Sequence, residues 1–256
     1  MLSGVLNPEG QCTDDAGNVY IADTGDGNVL EYAHGGTMPI RVLDDPGEYP
    51  VGCSVNPGNG DVAASDIFSP TTGEGAVTVW KPAETQGTTY VEPDGILECF
   101  FIAYDGSGNL YVNGFDSSGP ALAYPRAGSS TWETATIKGV QFDFPWDMQW
   151  DGRYLAFAGT ESDFGTVYRM RFHGRFGRVA ETVQFAAYIG ELDIFGPKGR
   201  RKLATMNSAS PQVAVYRYPA GGSAVKTIAL PDIDSSRNSK DSFGRIGRLG
   251  PTRLAL

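Results

Sequence analysis

Gly17-Asn18-Val19-Tyr20-Ile21-Ala22-Asp23 is a turn followed by an alternating strand, and the chain repeats it. Close copies are Gly60-Asp61-Val62-Ala63-Ala64-Ser65-Asp66 and Gly108-Asn109-Leu110-Tyr111-Val112-Asn113-Gly114. Weaker ones are Arg153-Tyr154-Leu155-Ala156-Phe157-Ala158-Gly159 and Arg201-Lys202-Leu203-Ala204-Thr205-Met206-Asn207. Downstream of each lies a polar loop and a second alternating strand, at 29–32, 77–80, 121–124, 167–170 and 213–216. An outer strand follows, as at 39–43 and 226–230, and another precedes each turn, as at 11–14 and 148–151. The apolar period is two, which excludes a helical solenoid. Four short strands per repeat, at a spacing of ~40–50 residues, are the signature of a β-propeller blade. One such sheet cannot bury both faces alone, but a radial stack of them can.

The expectation is therefore an all-β chain with five recognisable four-stranded blades, at about 1–43, 44–92, 93–138, 139–183 and 184–230. Two arrangements accommodate the ends. Either five blades close the propeller and 231–256 is a basic tail, solvated or folded back on the acidic body, or residues 1–6 and 231–256 together make an irregular sixth blade. A fragment of a longer protein would read the same way.

Composition agrees with many strands and tight turns: 34 Gly and 16 Pro without a Gly-X-Y period. The net charge of −10 repels a phosphate backbone, so no nucleic-acid partner is expected. No apolar run approaches the ~18 residues of a membrane span, so no membrane insertion is expected. Residues 1–7 are too short and uncharged for a signal peptide. The chain reads as soluble, and a leader in a longer precursor would make it secreted or periplasmic. Cys12, Cys53 and Cys99 are an odd, widely spaced set without a zinc pattern. The repeat puts Cys12 and Cys53 one position out of register, which predicts side chains on opposite sides of neighbouring strands and free thiols packed as small apolar groups.

Three stretches resemble the NHL-repeat and SMP-30/gluconolactonase-like propellers: Asn7-Pro8-Glu9-Gly10-Gln11-Cys12-Thr13-Asp14, Gly17 to Asp23 as quoted above, and Gly27-Asn28-Val29-Leu30-Glu31-Tyr32. Tyr49-Pro50-Val51-Gly52-Cys53-Ser54-Val55-Asn56 repeats the first of them. The likeness spans about residues 1–230 and is strongest in the first three blades. It implies a fold more than an activity, because such propellers include lactonases, other hydrolases, lyases and binding modules. Relatives of this type usually have six blades, one more than can be counted here. In the SMP-30 group a metal is held by a Glu from an early inner strand with Asn and Asp from later blades. That implies Glu9, Asp147 and Asn207 as metal ligands. Val51 and Phe100 stand where further ligands would be, so the set is incomplete.

In such a propeller the starts of the inner strands meet the ends of the second strands around the channel mouth. The starts are Glu9, Val51, Phe100 and Trp146, with Asp147 beside the last. The ends are Asp23, Asp66, Gly114 with Asn113 and Asp116 nearby, Gly159 and Asn207. Carboxylate and amide oxygens suit a hard divalent cation such as Ca²⁺. Aromatic walls and carboxylates suit a small polyhydroxylated or sugar ligand. Two functions follow. One is a hydrolase of a lactone, ester or glycoside, with Glu9 and Asp147 catalytic and Asp23, Asp66, Asn113, Asp116, Trp146 and Asn207 binding the ligand. The other is a non-catalytic module that recognises carbohydrate or protein. Asx residues before loops also commonly hydrogen-bond the backbone, which gives Asp23, Asp66 and Asn207 a purely structural reading. His34 and His173 fall in corresponding turns on the opposite face, where repeat position explains them better than catalysis. No Gly-x-Ser-x-Gly elbow is present, which disfavours a Ser-His-Asp hydrolase. Gly106-Ser107-Gly108 reads as a hairpin turn rather than a phosphate cradle, and no organic cofactor is expected.

Overall fold

A computed structural model describes residues 2–45, 49–69, 71–125, 130–159, 165–189, 191–207 and 212–229. Five antiparallel sheets stand side by side as the blades of a β-propeller. Blade one comprises β1 (Pro8–Thr13), β2 (Val19–Asp23), β3 (Asn28–Tyr32) and β4 (Pro39–Asp44). Blade two comprises β5 (Pro50–Val55), β6 (Val62–Asp66), β7 (Ala76–Trp80) and β8 (Thr88–Val91), and blade three β9 (Glu98–Tyr104), β10 (Leu110–Asp116), β11 (Gly119–Pro125) and β12 (Trp132–Thr134). Blade four is wider than the repeat implies. To β14 (Met148–Trp150), β15 (Leu155–Ala158), β16 (Thr166–His173) and β17 (Phe176–Gln184) it adds β13 (Thr136–Lys138), which runs parallel to β17 at the outer edge. Blade five comprises β18 (Asp193–Phe195), β19 (Lys202–Asn207), β20 (Gln212–Arg217) and β21 (Lys226–Ala229). Residues 231–256, which the sequence assigns to a tail or a closing blade, lie outside the described residues.

The turns that define the repeat form for local reasons. Gly17, Gly60 and Gly108 adopt φ of +82°, +77° and +78°, a backbone region costly for any residue with a Cβ. Asp14 and Asp105 fold back onto the backbone N–H and side chain of Asn18 and Asn109. Each hairpin thus has its register fixed before the blades meet.

Alternation then divides each second strand between two neighbours. Val62 and Ala64 pack with Tyr20, Val29 and Leu43 of blade one, while Ala63 packs with Ile102, Leu110 and Val112 of blade three. Tyr111 and Leu122 face Met148, Leu155 and Phe157, and Ala156 and Val167 face Leu203 and Tyr216. Burial on both faces explains why 62–66 lacks an exposed polar position. The inner strands approach closely. A Cβ on Gly10 would stand 2.4 Å from Val51 O, so only glycine fits there.

The cysteine expectation is overturned: Cys12 and Cys53 are disulfide-bonded, with Cα atoms 5.6 Å apart. Their offset in the repeat is the reason. Cys12 pairs with Tyr20 and Cys53 with Ala64, and those partners face each other across the interface between blades one and two. In stacked sheets, opposite faces of neighbouring sheets are the faces that meet. Cys99 is free and buried, and burial pushes its thiol well up.

Candidate functional site

Antiparallel pairing puts the starts of the first strands and the ends of the second strands at one end of every blade. Pro8 pairs with Asp23, Pro50 with Asp66, and Gly114 with Cys99. Cross-blade contacts join these ends into one face around the channel, hereafter the mouth face. Gly10, Gln11, Gly52, Phe101 and Asp147 line a small cavity where the inner strands of blades one to four meet.

The polar residues of this face do a consistent job. Asp23 accepts from the backbone N–H of Leu6 (2.7 Å) and Asn7 (2.6 Å), pinning the segment that enters β1. The Thr24 hydroxyl donates to Pro50 O of the next blade (2.7 Å), and the Ser65 hydroxyl donates to Phe100 O of the one after (2.7 Å). Asn113 accepts from Phe101 N within its own blade and donates through Nδ2 to Trp146 O of blade four (2.6 Å). Asp147 accepts from Leu192 N at the entry to blade five (2.9 Å). Below it, Gln149 brackets Ile194, accepting from its N–H (2.6 Å) and donating to its carbonyl (3.3 Å). Among the described residues, blades one to four are each stapled to the next by a side chain near the mouth. Ser65, Asn113 and Asp147 are buried, so each stands in for water that the backbone groups have lost.

The sequence-derived site residues have different surroundings. Asp23, Asn113 and Asp147 are buried staples, with Asp23 and Asp147 at 0% and 1% exposure. Asp66 is equally buried and accepts from the Thr78 hydroxyl. Asp116 caps its own turn, accepting from Ser118 N, Ser118 Oγ and Gly119 N. The Ser118 hydroxyl, helped by those N–H groups, holds its carboxyl below the usual carboxylate range. Asn207 closes β19 opposite Gln212, and its side chain lies outside the described residues. Glu9 differs from all of these. It is half-buried at the mouth with no side-chain hydrogen bond among the described residues, and burial raises its carboxyl pKa. Among the described residues no three His, Cys, Asp or Glu side chains converge as a metal site.

Comparison with solved structures finds the same architecture. A chain in the crystal structure of a nidogen/laminin complex superposes with a TM-score of 0.59 at 14% identity, over 87% of this chain and 80% of that one. The chain has the β-propeller fold. At that identity the likeness extends no further than fold. No protein-family model and no curated protein sequence matches the chain.

What the sequence left unseen is a band of rings on this same face. Phe100, Phe115 and Phe144 meet one another edge to face, with centroids 5.8, 6.0 and 5.2 Å apart. Phe144 continues to Trp146 (5.9 Å), and Trp146 to Tyr188 (6.3 Å). On blade two, Tyr49 and Phe68 form a further pair at 4.7 Å. Phe100 and Trp146 stand out as apolar walls in the sequence; Phe115, Phe144 and Tyr188 do not. The density of rings in Phe142-Asp143-Phe144-Pro145-Trp146 was the available signal. Trp146 is 6% exposed and Phe144 is 38% exposed, so the cluster is rooted in the core and opens to solvent.

Proposed function

We propose that the chain is a non-catalytic recognition module that binds its ligand on the mouth face, through the partly exposed rings of blades three and four. The observation that carries this reading is the division of labour on that face. Asp23, Asn113 and Asp147 hold backbone between or within blades, while an aromatic cluster with an exposed edge remains available. Aromatic side chains offer large contact area at low conformational cost and are favoured at recognition surfaces. A chain of similar fold belongs to a nidogen/laminin complex, which fits use of this architecture in assembly between proteins. The test is binding without turnover. Phe144→Ala should weaken saturable binding on peptide or glycan arrays several-fold, while wild-type protein leaves a panel of lactones, esters and glycosides intact. Turnover that disappears in Glu9→Gln would refute the reading.

A second reading rests on Glu9. A half-buried carboxyl with a raised pKa beside the channel is suited to a general acid. With the NHL/SMP-30-like motifs it supports a small-molecule hydrolase acting on a lactone, ester or glycoside. Asp147 would be its second carboxylate, and a divalent cation would sit among Glu9, Asp147 and Asn207. On this reading the cation would polarise the carbonyl under attack. A chelator that removes turnover and lowers the melting temperature would favour it.

A further inference from the structure

We infer that the partner of the mouth face is a basic stretch of polypeptide carrying Arg or Lys, an inference that rests on the recognition reading above. The first ground is where the charge lies. Among the described residues, the mouth-face segments 6–9, 24–27, 67–69, 71–75, 92–98, 115–119, 139–147, 185–189 and 191–192 contain no Lys or Arg. They do contain Glu9, Asp26, Glu98, Asp116 and Asp143. Cations gather at the far ends of the blades, where Arg153, Arg175, Lys198, Arg200 and Arg217 are exposed. Among the described residues, the excess of acid is therefore concentrated on one face. Such a field raises the encounter rate and affinity of a cationic partner and repels an anionic one.

The second ground is how the acids are interleaved with the rings. Glu98 pairs with Phe115 across β9 and β10, Asp116 follows Phe115, and Asp143 precedes Phe144. Glu98 and Asp143 are exposed, and among the described residues neither has a hydrogen-bond or ion-pair partner. A guanidinium or ammonium over an aromatic face, with a carboxylate at the side, gains from both groups. A neutral sugar would stack on the same rings but gains nothing from the lack of Lys and Arg in the described mouth-face segments. A point ion is also a poor fit, because the carboxylates do not converge in threes among the described residues. Spread-out acids suit charges spread along an extended chain. A third feature points the same way. The Trp146 indole N–H is buried in the ring band without an acceptor among the described residues. A backbone carbonyl from a bound peptide would supply one once the exposed Phe144 ring beside it swings aside.

The experiment uses the whole chain and fluorescently labelled arginine–glycine repeat peptide, with a glutamine–glycine repeat and a set of neutral oligosaccharides as competitors. The arginine peptide should bind saturably, and affinity should fall at least about tenfold between about 0.05 and 0.5 M salt. Phe144→Ala, and Glu98→Gln combined with Asp143→Asn, should each weaken binding several-fold with wild-type melting behaviour. Arg153→Glu with Arg200→Glu, on the opposite face, should not weaken it. Equal binding of the glutamine peptide, or indifference to the acid substitutions, overturns the inference. Oligosaccharide binding that is lost in Phe144→Ala, with no peptide binding, overturns the inference and leaves the recognition reading standing. Absence of all binding together with Glu9-dependent turnover removes both.

Discussion

Asp147 is the residue at which a staple and a catalyst predict opposite outcomes. Its carboxylate is 1% exposed and accepts from Leu192 N at 2.9 Å, where the chain enters blade five. Asp147→Ala removes a charged acceptor and leaves a buried N–H unpaired. Hydrogen bonds to charged groups contribute about 1.5–3 kcal/mol, and an orphaned donor adds to the loss, so a destabilisation of about 2–3 kcal/mol is expected. For a domain of this size each kcal/mol moves the melting temperature by about 2–4 °C, which gives a fall of roughly 4–12 °C. Asp147→Asn keeps an oxygen able to accept from Leu192 N and should recover most of that fall. The assay is thermal unfolding of the three proteins by circular dichroism, with ligand binding measured below the transition. A staple predicts that Ala is much worse than Asn, with binding by the folded fraction preserved in both. If Ala melts with the wild type, or if Asn is as destabilised as Ala, the hydrogen bond is not what Asp147 contributes. If Asn melts normally but loses a measurable turnover by orders of magnitude, the carboxylate is chemical and the hydrolase reading prevails.

Three other outcomes are expected. The Cys12–Cys53 bridge closes a sequence separation of 41 residues. Chain entropy then gives about 4 kcal/mol, so reduction, or Cys12→Ala with Cys53→Ala, should lower the urea midpoint, and an unchanged midpoint would contradict the bridge. Asn113→Asp should destabilise more than Asn113→Ala, because it sets a buried carboxylate against Trp146 O where an N–H donor now sits. Equal melting temperatures for the two would contradict that geometry. Burial raises the Glu9 pKa above 4.5, so the folded protein holds its proton more tightly than the unfolded chain. Stability from this group is therefore present below about pH 4.5 and is lost as pH rises through the folded-state value. Glu9→Gln should raise the melting temperature at neutral pH and show no advantage at pH below 4, and a pH-independent difference would exclude this cause.

The propeller was legible because its decisive features are local. Gly17-Asn18 and Gly108-Asn109 carry their own turn geometry, and alternation from Val19 to Asp23 needs no knowledge of the rest of the chain. The site was only half legible, because its meaning depends on which blade a side chain faces. Asp23 and Asp147 look like rim carboxylates when aligned by repeat, yet their acceptors turn to Leu6, Asn7 and Leu192 in the neighbouring chain path. The cysteines show the same logic. An offset of one residue reads as divergence along a single sheet, but between stacked sheets it aims Cys12 and Cys53 at each other. Fixing the height of a residue in its blade is thus within reach of a repeat alignment, whereas fixing its neighbour requires the stacking. Charge escapes this difficulty, because the sign of a loop is the same whichever way its side chains turn. The absence of Lys and Arg from the mouth-face segments is a property of sequence once the topology says which segments those are.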